Sequence, residues 1–491
     1  MSKINIIFSS IMGIEAIRRQ SIVSLIWNIA FTFIGFFSTI YFARAVGASV
    51  LGAYFLFTAY YGIINMVSDG GFGGAATKRI SEGEEPSTYF TAFFLLRSLF
   101  VTLVIITLII LRSYFVDLDN AGAFDWLLVA LGVSLLYGAV GPGVAGCGKM
   151  GIHTTCEFIN NVSRILIQVI AVFFGFDVAG LFGGFIAGML IGVIIELRFF
   201  NLNFVRFGWR HIKNLSSFSF WLFLTSSGIL VFSNVDTIMI GYYLSTEDIG
   251  VYRVVFQFAG ISAFTTSALR GTLWPRVSRW GKIGDIGLVE SSLSRALTYS
   301  LILAVPVLVG GILLGDKLLY VYGTQFVGGY VVLMILLFAQ TVDIFRVFFT
   351  TYLSALDRVK DSFKATITAA SANILFNFML IPLIGIEGAA IATLVAITLN
   401  AVLAQRLLSR AITIKLEYNS LLNILKASGL MSIFVIVYRF MIPLSNTWLT
   451  LVAVVFGGVV YGILILKFDT KICDDLKGIV TQMNLPWPSW F

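Results

Sequence analysis

Five arginines interrupt stretches of this chain that are otherwise apolar for about twenty residues at a time: Arg97, Arg164, Arg253, Arg270 and Arg346. The acidic residues in comparable positions are Asp69, Glu157, Glu196, Asp236 and Asp343. A charge in an apolar span is costly and points first to function. A guanidinium stays charged at every accessible pH and presents a planar fork of donors that matches a phosphate. The chemistry these residues suit is therefore binding of an anion, with carboxylates to release it or to exchange a proton or cation. Reaction chemistry has no comparable support. Cys147, Cys156 and Cys473 have no partner at metal-ligand spacing, and their odd number argues against a disulfide framework. His153 and His211 are isolated near loops and read as solvated or interfacial. No paired carboxylates or nucleophile–base constellation suggests an enzyme, and no cofactor or metal is expected.

Spacing sorts the candidates. Glu157, Asn160 or Asn161, Arg164 and Gln168 recur every three or four residues and make one polar stripe on a helix. Such a stripe faces a bundle interior or a water-filled cavity, and serves either substrate or helix–helix hydrogen bonds. Asp236 and Arg253 each lie within a few turns of one short connection, on antiparallel neighbours, so they can reach one another. They read as a cavity cation with an acid that releases it, or as a buried ion pair. Asp343 and Arg346 are three apart and can neutralise each other. Asp69, Glu196 and Arg270 fall at helix ends, where long side chains snorkel. The substrate-binding candidates are Arg253, Arg164, Arg97, Arg44, Gln168 and Asn161; Asp236, Glu157 and Asp343 are candidates for coupling or ion pairing.

The elements that must hold these residues are membrane helices. The chain is 58% hydrophobic and 12% charged, with mean hydropathy +0.94; a soluble domain carries about twice that charge. Apolar runs recur from end to end, which predicts an all-α polytopic protein and not a β-barrel. Fourteen spans are expected, near 21–42, 50–69, 89–111, 126–147, 157–175, 178–198, 217–242, 249–271, 292–314, 327–350, 364–383, 387–406, 421–443 and 448–466. With the N-terminus inside, the inner segments hold 21 Lys and Arg and the outer ones three, Arg44, Arg112 and Lys317. That asymmetry predicts cytoplasmic termini. This inner collar explains the net charge of +8 and suits anionic lipid headgroups; its basic residues are spread over eight inner segments, which does not suit nucleic acid. Residues 1–20 lack a cleavage site and read as a short surface helix with Ile4, Ile7, Ile11, Ile14 and Ile17 on one face. The tail ends in a Trp-containing segment suited to the headgroup layer, 485–491. No connection is long enough for an ATPase domain, and no phosphate-binding Gly-x-x-x-x-Gly-Lys-Ser/Thr loop occurs.

The chain also repeats itself. Shifted by 198 positions, Gly250, Tyr252, Gly260 and Ile261 fall on Gly52, Tyr54, Gly62 and Ile63. Shifted by 210, Gly385 and Ala389 fall on Gly175 and Ala179, each at a tight outer turn. Two parallel six-helix copies forming two lobes around a central cavity are expected, with helices 13 and 14 outside the repeat. The divisions read as 1–20, 21–215, 216–416, 417–466 and 467–491. Glycine and proline crowd two helices, Gly138, Gly141, Pro142, Gly143 and Gly146 in one and Pro306, Gly310 and Gly311 in the other; they predict either bends or close packing.

These residues carry a resemblance. Asn234-Val-Asp236-Thr-Ile-Met-Ile-Gly241-Tyr-Tyr-Leu-Ser245-Thr-Glu-Asp-Ile-Gly250-Val-Tyr252 resembles the helix 7–8 hairpin of the polysaccharide and O-antigen flippases, a branch of the multidrug/oligosaccharidyl-lipid/polysaccharide exporter superfamily. Tyr41-Phe-Ala-Arg44-Ala-Val-Gly47-Ala-Ser-Val-Leu-Gly52-Ala-Tyr54 resembles its helix 1–2 counterpart. The resemblance spans nearly the whole chain. It implies export of a polyprenyl-(pyro)phosphate-linked oligosaccharide across the cytoplasmic membrane by alternating access, with helices 1, 2, 7 and 8 lining the cavity. Coupling to a H+ or Na+ gradient, polysaccharide-assembly proteins as partners and a monomeric state are the accompanying expectations. A cation-coupled multidrug exporter, a peptidoglycan-precursor flippase and a scaffolding membrane protein are the alternatives. With Asp69, Glu196 and Arg270 set aside at helix ends, four mid-span Arg stand against three Asp and Glu, which favours the oligosaccharide flippase over the multidrug exporter.

Overall fold

The computed structural model describes residues 16–442 and 447–482. Most of the segment 1–20, the connection 443–446 and the aromatic tail 485–491 lie outside these. The described residues are helical almost throughout, and ten of their helices are long and apolar enough to cross a membrane. This is a multi-pass membrane protein. The chain divides into two compact units, 1–250 and 251–491.

The first unit contains α1 (Ala16–Asp69), α2 (Phe72–Ser81), α3 (Pro86–Ile110), α4 (Val116–Asn120), α5 (Phe124–Gly146), α6 (Met150–Phe173), α7 (Asp177–Leu197), α8 (Trp209–Tyr243) and the start of α9 (Thr246–Ala259). Helix α1 covers two expected spans. It breaks at Gly47, where φ is 78°, a region open to glycine and strained for other residues. Ser245 opens α9 with a reciprocal cap: its Oγ accepts from Asp248 N at 3.2 Å while Asp248 Oδ2 accepts from Ser245 N at 3.1 Å. The core is aromatic where α1 meets α7, with Phe57 4.8 Å from Phe182 and Tyr61 5.1 Å from Phe185 between ring centroids.

Helices α1 and α9 also touch backbone to backbone. A Cβ on Gly52 would stand 1.7 Å from Thr246 O, and one on Gly250 would stand 2.0 Å from Ala48 O. Ser49 and Thr246 hydroxyls lie 2.8 Å apart at the same seam. Under the offset of 198, residue 52 corresponds to 250 and 48 to 246, so the contact maps onto itself.

The second unit contains the rest of α9, then α10 (Phe264–Ile283), α11 (Ile286–Leu319), α12 (Tyr330–Ala355), α13 (Val359–Leu408), α14 (Tyr418–Met441), α15 (Thr447–Phe468) and α16 (Thr470–Gln482). Asp285 caps α11 by accepting from Leu288 N at 3.2 Å. Helix α13, like α1, joins two expected spans across a break, here at Ile384 and Gly385. Gly175 in the first unit and Gly385 in the second, aligned in sequence, both take positive φ, 84° and 66°. Helices α14 and α15 share the core of this unit: Met431, Val435 and Ile465 pack with Leu297 and Phe348, and Tyr461 donates to Ile302 O at 2.7 Å. The final helix is pinned by Asp469, which accepts from Ile472 N at 3.1 Å and from Asn423 Nδ2 at 3.2 Å.

The glycine–proline clusters serve packing. Helix α5 runs unbroken through Pro142. A Cβ at Gly138 would meet Arg97 Nη2 at 2.1 Å, at Gly141 His153 Cε1 at 2.7 Å, at Gly143 Phe200 at 2.8 Å and at Gly146 Ile80 at 2.7 Å. Each glycine is a notch for one side chain. Gly311 serves Leu337 in the same way, at 2.2 Å, on an α11 that continues through Pro306.

Candidate functional site

The polar stripe of α6 rests on a ridge of glycines. Gly180, Gly184, Gly188 and Gly192 recur every four residues on α7. A Cβ there would strike Ala171 Cβ at 2.9 Å, Gln168 Cγ at 2.4 Å, Arg164 Cβ at 2.7 Å and Asn160 Cβ at 3.0 Å in turn. Close approach lets Gln168 Nε2, fully buried, donate to Leu181 O at 2.7 Å. Asn160 donates to Tyr137 OH at 3.0 Å. Of the two asparagines it is Asn160 that makes this inter-helix bond, while Asn161 is half-buried. Gln168 and Asn160 thus hold helices together. Arg164 is half-buried with its guanidinium carbon 5.7 Å from the Phe185 ring centroid, and Glu157 is exposed at the stripe's end.

Arg97 is the most completely enclosed cation described, 2% exposed on α3. Its guanidinium forms an ion pair with Asp69 at the end of α1. Its Nη2 donates to Asn65 Oδ1 at 3.1 Å and to Ser134 O at 2.9 Å. The carboxylate of Asp69 also accepts from Gly73 N at 3.2 Å, fixing the start of α2. This is the geometry of a cross-brace between α1, α3 and α5, and Gly138 is the notch that admits it. The sequence placed Arg97 with the substrate cations and Asp69 at a snorkelling end; the structure bonds the two to each other.

Both histidines, read from the sequence as solvated or interfacial, have carboxylate partners. His153 Nδ1 lies 2.7 Å from Glu196 Oε1, and His211 Nε2 lies 2.7 Å from Glu85 Oε2. Arg210 also donates to Glu85, at 3.1 Å. The bond to His211 holds the Glu85 carboxyl below its ordinary range. Glu196, expected to snorkel, is 1% exposed.

The remaining candidates are dispersed. Arg44 is exposed on α1, three residues before the break at Gly47. Asp236 is buried on α8 in the first unit. Arg253 is half-buried in the second unit, its guanidinium carbon 5.8 Å from the Phe256 ring centroid. Asp343 and Arg346 form the expected pair on α12, with Arg346 Nη2 donating to Asp343 Oδ2 at 3.0 Å. The sequence reading passed over a buried amide pair on α13, where Asn377 Nδ2 donates to Asn373 Oδ1 at 3.2 Å, with Thr393 buried on the same helix 3.5 Å from Tyr252 OH. The i, i+4 asparagines in an apolar span were the available signal. Among the described residues no group of three or more His, Cys, Asp or Glu could hold a metal ion.

On α4, between two spans, Asp117 is buried and accepts from Tyr60 OH at 2.8 Å. Burial pushes its carboxyl above the usual range, the Tyr60 bond opposing. A carboxyl raised on folding stabilises the protein below its unfolded value and loses that contribution as pH rises through the folded value. At pH 7 the charge is therefore a cost. Asp117→Asn keeps an acceptor for Tyr60 and is expected to stabilise the protein by about 1 kcal/mol at neutral pH. The gain should vanish near pH 4, read as the difference in Tm between variant and wild type.

The chain is similar to several known proteins. Agl15 of Haloferax volcanii, described as a probable low-salt glycan biosynthesis flippase, is 26% identical over 462 residues, covering 92% of this chain and 96% of its own. AglR of the same organism, a probable flippase, is 26% identical over 478 residues, covering 95% and 99%. The fold is similar to that of the lipid II flippase MurJ in an inward closed conformation, with TM-score 0.77 at 17% identity over 92% of this chain and all of that one. A family model described as polysaccharide biosynthesis protein matches residues 17–280. The chain is thus a member of the polysaccharide biosynthesis protein family.

Proposed function

We propose that the protein is a flippase that moves a polyprenyl-(pyro)phosphate-linked oligosaccharide from the inner to the outer leaflet of the cytoplasmic membrane by alternating access, for assembly of a cell-surface glycan. The observation that carries this reading is the likeness, over more than nine-tenths of the chain, to two proteins described as probable flippases, one of them in glycan biosynthesis. The charge inventory agrees with it. Asp69 and Asp343 each form an ion pair with an arginine, and the Arg164 and Arg253 guanidinium groups lie beside the Phe185 and Phe256 rings. Cation exchange of the multidrug type would call for acids where this chain has guanidinium groups.

In this reading Arg44 and Arg164 in the first unit, and Arg253 in the second, are each candidates for the phosphate of the headgroup, and Arg97 braces the helices. The lipid tail stays in the bilayer. Fourteen spans in two parallel six-helix copies, 21–215 and 216–416, with both termini cytoplasmic, belong to the same proposal. So do coupling to a H+ or Na+ gradient, a monomeric state and contact with polysaccharide-assembly proteins.

The test uses purified protein in proteoliposomes with a fluorescent short-chain polyprenyl diphosphate N-acetylglucosamine as probe. Wild type should move it between leaflets. Arg253→Lys keeps the charge and loses the planar fork, and should slow transport about tenfold or more, equivalent to one charge-assisted hydrogen bond. Asp236→Asn with Arg253→Gln should fold and fail to transport. Transport at the wild-type rate in that double variant would remove Arg253 from the substrate site.

A further inference from the structure

Three titratable side chains line up across α6 and α7. Glu157 is half-exposed, its carboxylate 3.7 Å from His153 Nε2. On the other face of the imidazole, Nδ1 lies 2.7 Å from Glu196, which is all but sealed from solvent. The order is an aqueous carboxylate, an imidazole and a buried carboxylate. Helix α5 shapes the site: Gly141 has no Cβ because one would fall 2.7 Å from His153 Cε1 and 3.7 Å from Glu196 Oε2. The other ionisable groups nearby are Tyr137 on α5, and Cys156 and Arg164 on α6. Helix α1 also packs on α6 and brings Asp69, already bonded to Arg97.

A neutral imidazole can serve only one of two carboxylates as donor, whereas an imidazolium donates from both nitrogens. With Nδ1–H committed to Glu196, Nε2 is the atom left to take a proton, and Glu157 is the group beside it that reaches water. We propose that Glu157, His153 and Glu196 form a proton-binding site. His153 Nε2 takes a proton from water on the side where the Glu157 carboxylate attracts it, and the Nδ1–H bond to Glu196 holds the resulting imidazolium between two carboxylates. Arg164 lies two turns along α6 from Glu157 and three from His153, so a proton bound here adds positive charge to the helix that carries a candidate phosphate cation. Anionic headgroup and proton then favour each other's binding, by the same factor in both directions. This use of the proton rests on the flippase reading; the site itself does not.

His153 can be observed alone, because the chain has two histidines and His211→Gln removes the other. In nanodiscs, the imidazole nitrogens of the His211→Gln protein should titrate as one group, and Glu157→Gln and Glu196→Gln should each displace the midpoint by about half a unit or more. An imidazole that does not titrate, or a midpoint unmoved by both substitutions, overturns the proposal. If Glu196→Gln fails to fold, the half-exposed Glu157 carries the same readout. In proteoliposomes with the polyprenyl diphosphate probe, an imposed pH gradient should change the wild-type rate about threefold or more and leave His153→Gln nearly unaffected. Equal responses overturn the coupling. If wild type does not move the probe at all, the flippase reading fails and the nuclear resonance titration still decides the site.

Discussion

Arg97→Met is expected to cost about 3–5 kcal/mol, the range for breaking a buried ion pair from one side. The substitution leaves the Asp69 carboxylate facing a thioether and deprives Asn65 Oδ1 of its donor. Arg97→Lys restores a charge but not the fork, so one ammonium must serve three acceptors that the guanidinium reached from two nitrogens; a smaller loss is expected. Removing the carboxylate as well, in Asp69→Asn with Arg97→Met, should recover more than half of the stability, because the uncompensated charge is the larger part of the penalty. Thermal unfolding in detergent reads all three. A single variant within about 1 kcal/mol of wild type would mean that water reaches Asp69 and that the brace is dispensable.

Gly52→Ala and Gly250→Ala should each destabilise the first unit by about 3 kcal/mol or more, at or above the usual cost of overpacking. The added methyl overlaps a carbonyl oxygen in both cases, Thr246 O or Ala48 O, and a backbone cannot turn aside as a side chain can. The helices must separate by more than 1 Å to admit it, which also breaks the Ser49–Thr246 hydroxyl contact. Because the same two segments carry both arms of the contact, the double variant should cost far less than the sum of the singles. Strict additivity would show that the two arms are independent and that the seam is not one unit.

Much of the helical framework was legible because membrane helices must satisfy their backbone internally and announce themselves as apolar runs. The breaks at Gly47 and Gly385 fall where the sequence put short connections, and the Asp343–Arg346 pair follows from spacing of three on one helix. What was hidden is contact between residues far apart in sequence. Arg97 and Asp69 are 28 positions apart and His153 and Glu196 are 43 apart, so no local spacing reveals them. The four-residue glycine period of α7 mirrors the period of the polar stripe on α6, and two such periods on consecutive helices imply a seam. The glycines of α7 fix where Arg164 can be.

That seam also bears on how the chain enters the membrane. An arginine near the middle of a lone span opposes insertion by about 2.5–3.5 kcal/mol, and α6 adds Asn160 and Gln168 to the burden. Gln168 finds its acceptor, Leu181 O, only on the helix that follows, and Asn160 and Arg164 fit against glycines there. Helix α6 is thus a weak segment until α7 has been made. The two are joined by Phe174, Gly175 and Phe176, with Gly175 at φ 84°, a turn short enough to bring them together at once. Biogenesis would then proceed by the pair, with α6 waiting at the translocation machinery for its partner and both entering the bilayer as a hairpin.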